Sequence, residues 1–330
     1  TVAPAPANPY YLLVSEAMLQ QTQVGTVVPY FQRFVAALPT IGDLAAAPEQ
    51  QVLRLWQGLG YYRRAHHLHA AAKLIVEAFG GRIPDTAQQL MVLPGVGRYS
   101  AGAIASIGFG RAEPVLDGNV TRVLARWFAI EQSVDETQTR NHLWELAGQL
   151  ADGPGPGEIN QALMELGALV CTPQKPKCAR CPVRRLCQAR RLDRVHAVPQ
   201  RTVRRSPRPV THAVIALERR GRYLFEQRPR GGLWSNMWQL PTVEGAALST
   251  ASLRARVRRH LGLQVINSAR VGQFTHRTTH LLIQFVIWLG QANGGRVRRG
   301  HGHWRRLHDL EDLPLANPQR RAIAILRNRG

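Results

Sequence analysis

The chain has 330 residues, 45% of them hydrophobic, which is enough for two ordinary cores, so it does not need the disulfide bonds that staple small secreted proteins. No apolar run approaches the about 18 residues that span a bilayer, and we expect a cytoplasmic protein that is not bound to a membrane. Lysine and arginine number 43 against 21 acidic residues, and a net charge of +22 favours a polyanionic partner such as nucleic acid over a merely soluble basic protein.

The region from about residue 10 to 190 is predicted to be mostly helical, because its apolar residues recur at intervals of three and four. In its first helix, Glu16 stands on an otherwise apolar face, where a lone acid is often no more than a helix-edge residue. The segment continues with Gln20, Gln21 and Gln23, whose amides are of the kind that read base edges in nucleic acid.

A turn is predicted in the string GLGYYRRA, at residues 58–65. It presents Leu59 and Tyr61 beside arginines, and a loop that wedges stacked bases apart needs such apolar and aromatic tips. Aromatic packing at the start of a helix explains the same residues equally well in isolation.

The string LPGVGRYSAG, at residues 93–102, predicts a tight hairpin between two helices, the second beginning at Arg98. Gly95 and Gly97 bracket Val96, and glycines there permit positive φ and let a phosphate approach backbone N–H groups. The pattern resembles a helix–hairpin–helix that grips the DNA backbone, although proline and glycine also serve at any helical corner.

Asp117, in the string VLDGNVTRVLAR, lies between an apolar run and a helix predicted to begin near Asn119. An aspartate at that place is commonly a helix cap. It can equally be a carboxylate aimed from a helix start into a cleft. The segment alone leaves both interpretations open, so the neighbouring motifs have to decide.

All the cysteines of the chain, Cys171, Cys178, Cys181 and Cys187, lie in one short segment. Structural zinc sites usually combine two C-x2-C pairs, whereas here a single C-x2-C pair has one cysteine on either side. A compact loop that supplies four thiolates suits an iron–sulfur cluster, with zinc as the alternative. Free buried cysteines explain so polar a segment poorly.

The sequence changes character after the helical region, which predicts three parts. They are a helical domain at residues 1–190, a linker rich in proline and arginine at 191–208, and a second domain at 209–330. In the second domain, several short segments rich in β-branched and aromatic residues are predicted to be strands, and TASLRARVRRHLGL is predicted to be a helix. The second domain is therefore predicted to be α+β.

These motifs occur in the order found in MutY-type adenine DNA glycosylases, which are helix–hairpin–helix enzymes with an iron–sulfur cluster. The resemblance rests on SEAMLQQTQV, GLGYYRRA, LPGVGRYSAGAIAS, VLDGNVTRVLAR and NQALMELGALVC, followed by the cysteine loop. It implies a mostly α catalytic region with a 4Fe–4S cluster and an α+β Nudix-like second domain. It also implies removal of adenine opposite 8-oxoguanine or guanine from double-stranded DNA.

The resemblance further implies a role for each matched position. Glu16 would protonate the leaving adenine, and Asp117 would stabilise the oxocarbenium-like sugar. Tyr99 and Asn119 would support them, and Gln161 would touch the flipped adenine. The four cysteines would ligate the cluster. The other residues that would contact DNA are Gln21, Leu59, Tyr61, Gly95, Val96 and Gly97.

Lysine usage bears on the reaction type, since the chain contains only Lys73, Lys175 and Lys177. Glycosylases that also cut the strand typically use an amine as nucleophile. The related endonuclease III branch carries that lysine where this chain has Tyr99, so we expect a monofunctional enzyme that leaves an abasic site. The alternatives are an endonuclease III-like glycosylase and lyase, a non-catalytic DNA-binding protein with a structural cluster, and an electron-transfer protein.

The setting of the protein is also predicted. The arginine-rich, lysine-poor composition is typical of a GC-rich bacterium, and DNA binding would place the protein at the nucleoid. A monomer is the default oligomeric state.

The second domain contains RPRGGLWSNMWQLP, which resembles the Nudix-like domain of the same family. A Nudix hydrolase binds Mg²⁺ through a glutamate cluster, and this chain has Arg256, Arg259 and His260 at those positions. Because basic groups cannot hold Mg²⁺, we expect a binding domain and not a pyrophosphatase.

The string QFTHRTTH matches the family segment that recognises 8-oxoguanine. The resemblance therefore assigns this recognition to Phe274, Thr275 and His276. The family more often has serine where this chain has Thr275.

Overall fold

The computed structural model describes residues 8–200, 202, 206–245, 249–298 and 302–328. Its contacts divide the chain into two compact units, Thr1–Ala46 with His67–Arg204, and Ala47–His66 with Arg205–Gly330. The short segment 47–66 thus groups with the C-terminal part of the chain. In the described ranges no helix combines the length and the apolar character that a membrane span requires.

Residues 8–200 are mostly helical, in agreement with the prediction from apolar periodicity for residues 10 to 190. Two of the helices continue into π-helical turns, α7 at Ile104–Gly108 and α10 at Leu166–Val170. The helices are α1 (Pro9–Leu19), α2 (Val24–Ala37), α3 (Ile41–Ala46), α4 (Glu49–Trp56), α5 (Arg63–Phe79), α6 (Ala87–Leu90), α7 (Arg98–Ala103), α8 (Gly118–Trp127), α9 (Thr137–Ala151), α10 (Pro156–Glu165) and α11 (Gln188–Arg191).

The core of the first unit is built around α8, whose apolar face packs on α9. Val120 and Leu124 of α8 are fully buried, and Leu143 of α9 is buried with them. Val198, which lies in the segment suggested as a linker, is also buried in this core. The Arg126 guanidinium holds it there, because Nε donates to the Val198 carbonyl at 2.9 Å.

Helix α10 starts at Pro156, with Gly155 before it at φ 70°. Proline is well suited to the first helical turn, since its missing N–H would have no partner there. The α-helix ends at Glu165, and a wider π turn follows.

The second unit contains α4 and a mixed sheet with a helix on each face. The strands run in the order β3-β2-β1-β6-β5, with β4 paired to β1 and β7 paired to β2. The elements are β1 (Arg208–Arg219), β2 (Arg222–Gln227), β3 (Trp238–Gln239), β4 (Thr242–Val243), α12 (Thr250–Leu261), β5 (Val265–Arg277), β6 (Leu281–Ala292), β7 (His303–Arg305) and α13 (Asn317–Arg327).

A helix covers each face of this sheet, α13 on one and α12 on the other. This is usual for a sheet with parallel strands, and the neighbouring strands β1 and β6 run parallel. Val214 of β1 packs with Ile323 of α13, whereas its neighbour Ile215 packs on the opposite face with Val257 of α12. Successive residues of a strand point to opposite faces, so one apolar strand serves two cores. The predicted strands and the predicted helix of this domain are confirmed, as is the fold class of a mostly α region followed by an α+β domain.

Candidate active site and DNA interface

Glu16 is a buried carboxyl in the first unit. It lies on α1 among apolar neighbours and is 7% exposed. Burial raises the pKa of its carboxyl to about 7, a hydrogen bond with Tyr99 lowers it, and the charge of Asp117 raises it. Burial acts because it penalises the charged form. The carboxyl is therefore poised to exchange a proton near neutral pH, which suits a general acid.

Tyr99, in the first turn of α7, supplies a hydroxyl to this carboxyl. Burial raises the pKa of Tyr99, and the charges of Glu16 and Asp117 raise it further. The hydroxyl also lies 3.4 Å from Sδ of Met164. Because the phenol stays protonated, it can donate to Glu16 whenever that carboxyl is ionised. Tyr99 is thus placed to hold the acid in one orientation.

Asp117 is both a helix cap and a neighbour of the buried acid. Its Oδ1 accepts from the backbone N–H of Asn119 at 2.8 Å and of Val120 at 2.7 Å, which caps α8. Its Oδ2 accepts from Nδ2 of Asn119 at 3.0 Å. The interpretation as a helix cap is confirmed, and the interpretation as a carboxylate aimed into a cleft stays a prediction. The cap fixes the carboxylate, and its charge acts on Glu16.

Arg122 is a further residue of this site, and the sequence analysis missed it. It is 7% exposed, and its Nη2 donates to Oδ1 of Asn119 at 2.8 Å and to the Gly167 carbonyl at 2.6 Å. Its Nε donates to the Cys171 carbonyl at 2.6 Å. Arg122 thereby orients the Asn119 amide toward Asp117. The available signal was an arginine within a buried apolar helix, four residues before another.

Gly167 allows α8 and the π turn after α10 to approach closely. A Cβ atom on Gly167 would lie 2.6 Å from Cβ of Asn119 and 2.9 Å from its carbonyl oxygen. We expect Gly167→Ala to lower the free energy of unfolding by about 1 to 3 kcal/mol, because the added methyl overpacks the contact. Thermal unfolding measures this directly.

The matched control is Gly148→Ala, at a position in α9 where an added Cβ meets nothing within 4 Å. Alanine is favoured over glycine in a helix, so this variant should gain about 0.5 to 1 kcal/mol. Equal stability changes in the two variants would show that the close approach at Gly167 does not constrain the site.

The four cysteines lie together in one half-buried loop. Burial raises the pKa of the Cys181 thiol, and the neighbouring thiols of Cys171, Cys187 and Cys178 raise it further. Arg126 bridges the ends of the loop, since its Nη1 lies 3.5 Å from Sγ of Cys171 and its carbonyl accepts from Sγ of Cys187 at 3.4 Å. Four converging thiols with an arginine beside them fit an anionic cluster of thiolates and iron.

A single zinc ion would require a different arrangement of these four sulfur atoms. Among the described residues, no group of three or more His, Cys, Asp or Glu side chains is close enough to hold one ion. Sulfurs around one zinc ion each lie about 2.3 Å from the metal and must nearly touch. A 4Fe–4S cluster takes four thiolates, each through a different iron, and the four cysteines of this loop supply that donor set.

The predicted hairpin is present. Gly95 has φ 80°, and a Cβ there would lie 2.6 Å from Cβ of His67. Gly97 has φ −94° and precedes Arg98, where α7 begins as predicted. Of these two glycines, only Gly95 uses the positive φ that glycine permits, and the extended backbone of Gly97 serves as the N-cap of α7. Contact of Gly95, Val96 and Gly97 with DNA stays a prediction.

Two glutamines assigned to DNA are exposed in the first unit. Gln21 follows α1 with φ 58°, and Gln161 on α10 donates through Nε2 to the Gly157 carbonyl at 3.2 Å. The adjacent Asn160 is buried instead, and its Nδ2 donates to Oγ of Ser106 at 2.8 Å. The two neighbouring residues therefore differ: the buried Asn160 attaches α10 to Ser106, and the exposed Gln161 faces outward.

The loop at residues 57–62 belongs to the second unit, and its two candidate wedge residues differ. Tyr61 is 49% exposed and has φ 48°, whereas Leu59 is 6% exposed. The Arg64 guanidinium lies 5.4 Å from the Tyr61 ring. Tyr61 is therefore available to a ligand, while Leu59 is buried.

The segment assigned to 8-oxoguanine lies on β5, in an antiparallel pair with β6. Phe274 is buried and stacks on Phe285 at 5.1 Å, so it supports the segment from beneath. Thr275 is exposed, and His276 is half-buried with its ring 5.8 Å from that of Trp234. Burial lowers the pKa of His276, so its imidazole is neutral at pH 7 and can accept a hydrogen bond.

The predicted loss of Nudix metal binding concerns α12. Arg256, Arg259 and His260 are exposed there, and a cavity of about 290 Å³ beside the helix is lined by Arg256 and His260. Two acids, Glu226 and Glu244, line the same cavity. Glu244 is paired with Arg228 at 2.5 Å. That the domain binds without hydrolysing stays a prediction.

Comparison with known proteins agrees with this geometry. Residues 14–149 match the HhH-GPD superfamily of base excision DNA repair proteins, residues 171–187 match the iron–sulfur binding domain of endonuclease III, and residues 212–324 match the NUDIX domain. A thermostable thymine-DNA glycosylase of known structure superposes on 56% of the chain and 85% of its own, with a TM-score of 0.51 and 29% identity. The predicted cofactor is confirmed: the chain carries a 4Fe–4S cluster.

Curated relatives match most of the chain. The adenine DNA glycosylase of Homo sapiens is 38% identical over 84% of this chain, which spans 60% of the human protein. This chain therefore spans less than two thirds of that relative. The adenine DNA glycosylase of Buchnera aphidicola subsp. Schizaphis graminum is 30% identical over 96% of this chain and 91% of its own length. The predicted resemblance is confirmed, and the chain belongs to the adenine DNA glycosylase family.

Proposed function

We propose that this protein is a monofunctional DNA glycosylase that removes adenine paired with 8-oxoguanine or guanine in double-stranded DNA. The observation that carries the proposal is a pair of interacting carboxyls, one on buried Glu16 and one on half-buried Asp117. Glu16 has a pKa raised to about 7, and the carboxylate of Asp117 is fixed at the start of α8. Two acids in different environments supply an acid and a negative charge, which cleavage of a glycosidic bond requires.

In this mechanism protonated Glu16 gives its proton to N7 of the extruded adenine. The bond between C1′ and N9 then breaks, and its electron pair leaves with the base. The carboxylate of Asp117 stabilises the cationic sugar, directly or through a transient bond to C1′. Water adds at C1′ and loses its proton to the Glu16 carboxylate, which restores the acid and leaves an abasic site.

The supporting residues act on these two carboxyls. Tyr99 donates to Glu16 when it is ionised, and Asn119 holds Oδ2 of Asp117 while Arg122 holds Asn119. Tyr99 also occupies the position that carries a lysine in the lyase branch. A phenol cannot form the Schiff base that strand cleavage needs, which supports the monofunctional assignment.

The cluster, the loop at 57–62 and β5 have proposed roles outside the chemistry. Cys171, Cys178, Cys181 and Cys187 each ligate one iron and fold a basic loop. Tyr61, exposed on its loop, enters the base stack. On β5, Thr275 and His276 contact the 8-oxoguanine left opposite the extruded adenine. The net charge of +22 supports the duplex as partner.

The test is single-turnover cleavage of a duplex with one adenine opposite 8-oxoguanine, with samples split between alkaline and neutral treatment. We expect strand breaks only after alkali, since an abasic site survives neutral conditions. Breaks without alkali would instead support the lyase. Tight binding with no breaks in either sample would support a non-catalytic DNA-binding protein.

A further inference from the structure

Helix α4 is joined to the Trp234–Asn236 turn by a hydrogen-bonded cluster within the second unit. Oε2 of Glu49 accepts from Nδ2 of Asn236 at 2.7 Å, and Oε1 of Glu49 lies 2.6 Å from Nδ1 of His66. The other ring nitrogen of His66 lies 3.0 Å from the Ser235 carbonyl. The Glu49 carboxylate therefore meets a partner on each oxygen.

Gln50, the next residue of α4, makes two more hydrogen bonds, one to this turn and one to β3, the strand that follows it. Its Nε2 donates to the Asn236 carbonyl at 2.9 Å, and its Oε1 accepts from Nε1 of Trp238 at 3.1 Å. A side-chain amide that uses both its donor and its acceptor in this way is fixed in orientation. The start of α4 is therefore held to residues 235–238 through several polar contacts.

The loop after α4 is attached at a different place. Oε1 of Gln57 accepts from the backbone N–H of Leu315 at 2.8 Å, and the Gly58 carbonyl accepts from Nδ2 of Asn317 at 3.4 Å. Inside the loop, the Gly60 carbonyl accepts from Nε1 of Trp56 at 3.1 Å. The backbone that presents Tyr61 is thus pinned from α4 on one side and from the start of α13 on the other.

Both places where α4 and its loop are attached, the Trp234–Asn236 turn and the start of α13, also lie next to residues that contact the segment assigned to 8-oxoguanine. Trp234 precedes Ser235 in the chain, and its ring lies 5.8 Å from that of His276. Arg321 stands one turn after Asn317 in α13, and its Nη1 donates to the Thr275 carbonyl at 3.3 Å. Residues four apart in a helix share a face, so α13 links β5 with the loop.

We propose that these contacts couple the reading of the base opposite adenine to the insertion of Tyr61. The inference rests on the proposed function. The positioning residues are Glu49, Gln50, Gln57 and Asn317, which fix the position of the loop relative to β5. As a result, 8-oxoguanine bound at Thr275 and His276 favours the inserted position of Tyr61. Packed elements and hydrogen bonds carry such coupling when both ends are fixed to one body.

The test removes the hydrogen bond between Asn236 and Glu49 with one substitution and re-forms it with a second substitution. Asn236→Asp places a carboxylate against Glu49 and removes the donated hydrogen bond, while aspartate still tolerates the positive φ of 58° at this position. Glu49→Gln removes the charge and one acceptor. In the double variant, the new glutamine donates to the new aspartate and keeps an acceptor for His66, so the contact is re-formed with reversed polarity.

The measurements are single-turnover excision rates for adenine opposite 8-oxoguanine and opposite guanine, with 2-aminopurine fluorescence reporting unstacking beside the loop. We expect each single variant to lose about tenfold on the 8-oxoguanine duplex, the effect of one lost charged hydrogen bond, and to change little on the guanine duplex. The double variant should recover to within about twofold. A merely structural role would lower both rates together.

The matched control is Asn267→Asp, which makes the same substitution at a positive φ of 49° on β5 and removes a hydrogen bond to Gln291. It should leave the ratio of the two rates unchanged. Single variants with a wild-type ratio, or a double variant without recovery, would overturn the coupling. A wild-type protein that does not excise adenine from either duplex would instead refute the proposed function.

Discussion

Glu16→Gln is expected to lower the single-turnover rate of adenine excision by about 10²- to 10⁴-fold, the range that a positioned general acid contributes. Glutamine keeps the shape of the side chain and can still accept from Tyr99, but it has no proton to give to the leaving base. Binding of the duplex should be retained, because the substitution removes a buried acid and leaves the basic surface intact.

The control for Glu16→Gln is Glu145→Gln, the same substitution at an exposed position of α9. It makes the same change of side chain on the surface, away from the buried acid, and should keep the wild-type rate. Wild-type excision by the Glu16 variant would remove this carboxyl from the mechanism, and the hydrogen-bonded surroundings of Asp117 would then have to supply the acid.

The raised pKa of Glu16 also predicts the pH dependence of excision. The acid must be protonated to act, and burial raises its pKa to about 7. The rate should therefore be near its maximum below pH 6 and fall about tenfold for each unit above 7, as the protonated fraction declines. The Gln variant should show no such fall, and this difference separates the acid from other titrating groups.

The raised pKa of Glu16 also predicts how the free energy of unfolding depends on pH. Its pKa rises from 4.5 to about 7 on folding, so the folded protein binds a proton that the unfolded chain has lost between these values. Stability therefore decreases as pH rises from 4.5 through 7, by on the order of 3 kcal/mol. Glu16→Gln removes this cost and should be more stable than wild type at pH 8, as thermal unfolding would show.

Local strings were enough to predict most of the helices, the strands and a possible helix cap at Asp117, because those features depend on residues within one or two turns. Asp117 illustrates this: its cap reaches only Asn119 and Val120. The cysteine loop is equally local, since its donors lie within residues 171–187.

Features that depend on distant residues were not predictable in this way. Arg122 joins α8 to Gly167 and Cys171, more than forty positions along the chain, and no period marks such a pairing. The attachment of Gln57 to Leu315 spans 258 positions. Buried polar side chains find their partners only once the fold exists, so a single sequence shows them as unexplained polar residues in apolar segments.

Asp117→Asn is expected to lower the excision rate by about 10²- to 10³-fold, the loss that follows removal of one preorganised electrostatic group. Asparagine caps helices nearly as well as aspartate, so Oδ1 should still accept from the N–H groups of Asn119 and Val120. The charge beside the developing sugar cation is lost. The new amide also faces the Asn119 amide, which Arg122 holds in place, so a stability loss of about 1 kcal/mol is expected.

Binding and chemistry should separate in the Asp117→Asn variant. Removing a negative charge near the phosphates should leave duplex affinity equal or higher, while single-turnover excision falls. Asp135→Asn, at an exposed position where the carboxylate accepts from Thr202 at 2.8 Å, makes the same charge change and should keep the wild-type rate. If the Asp117 variant excised adenine at the wild-type rate, its carboxylate would be only the cap of α8, and the cation would have to be stabilised by another group. If affinity and rate fell together, loss of the cap geometry would explain both, and Asp117→Ser, which retains a capping oxygen without the amide, would recover affinity alone.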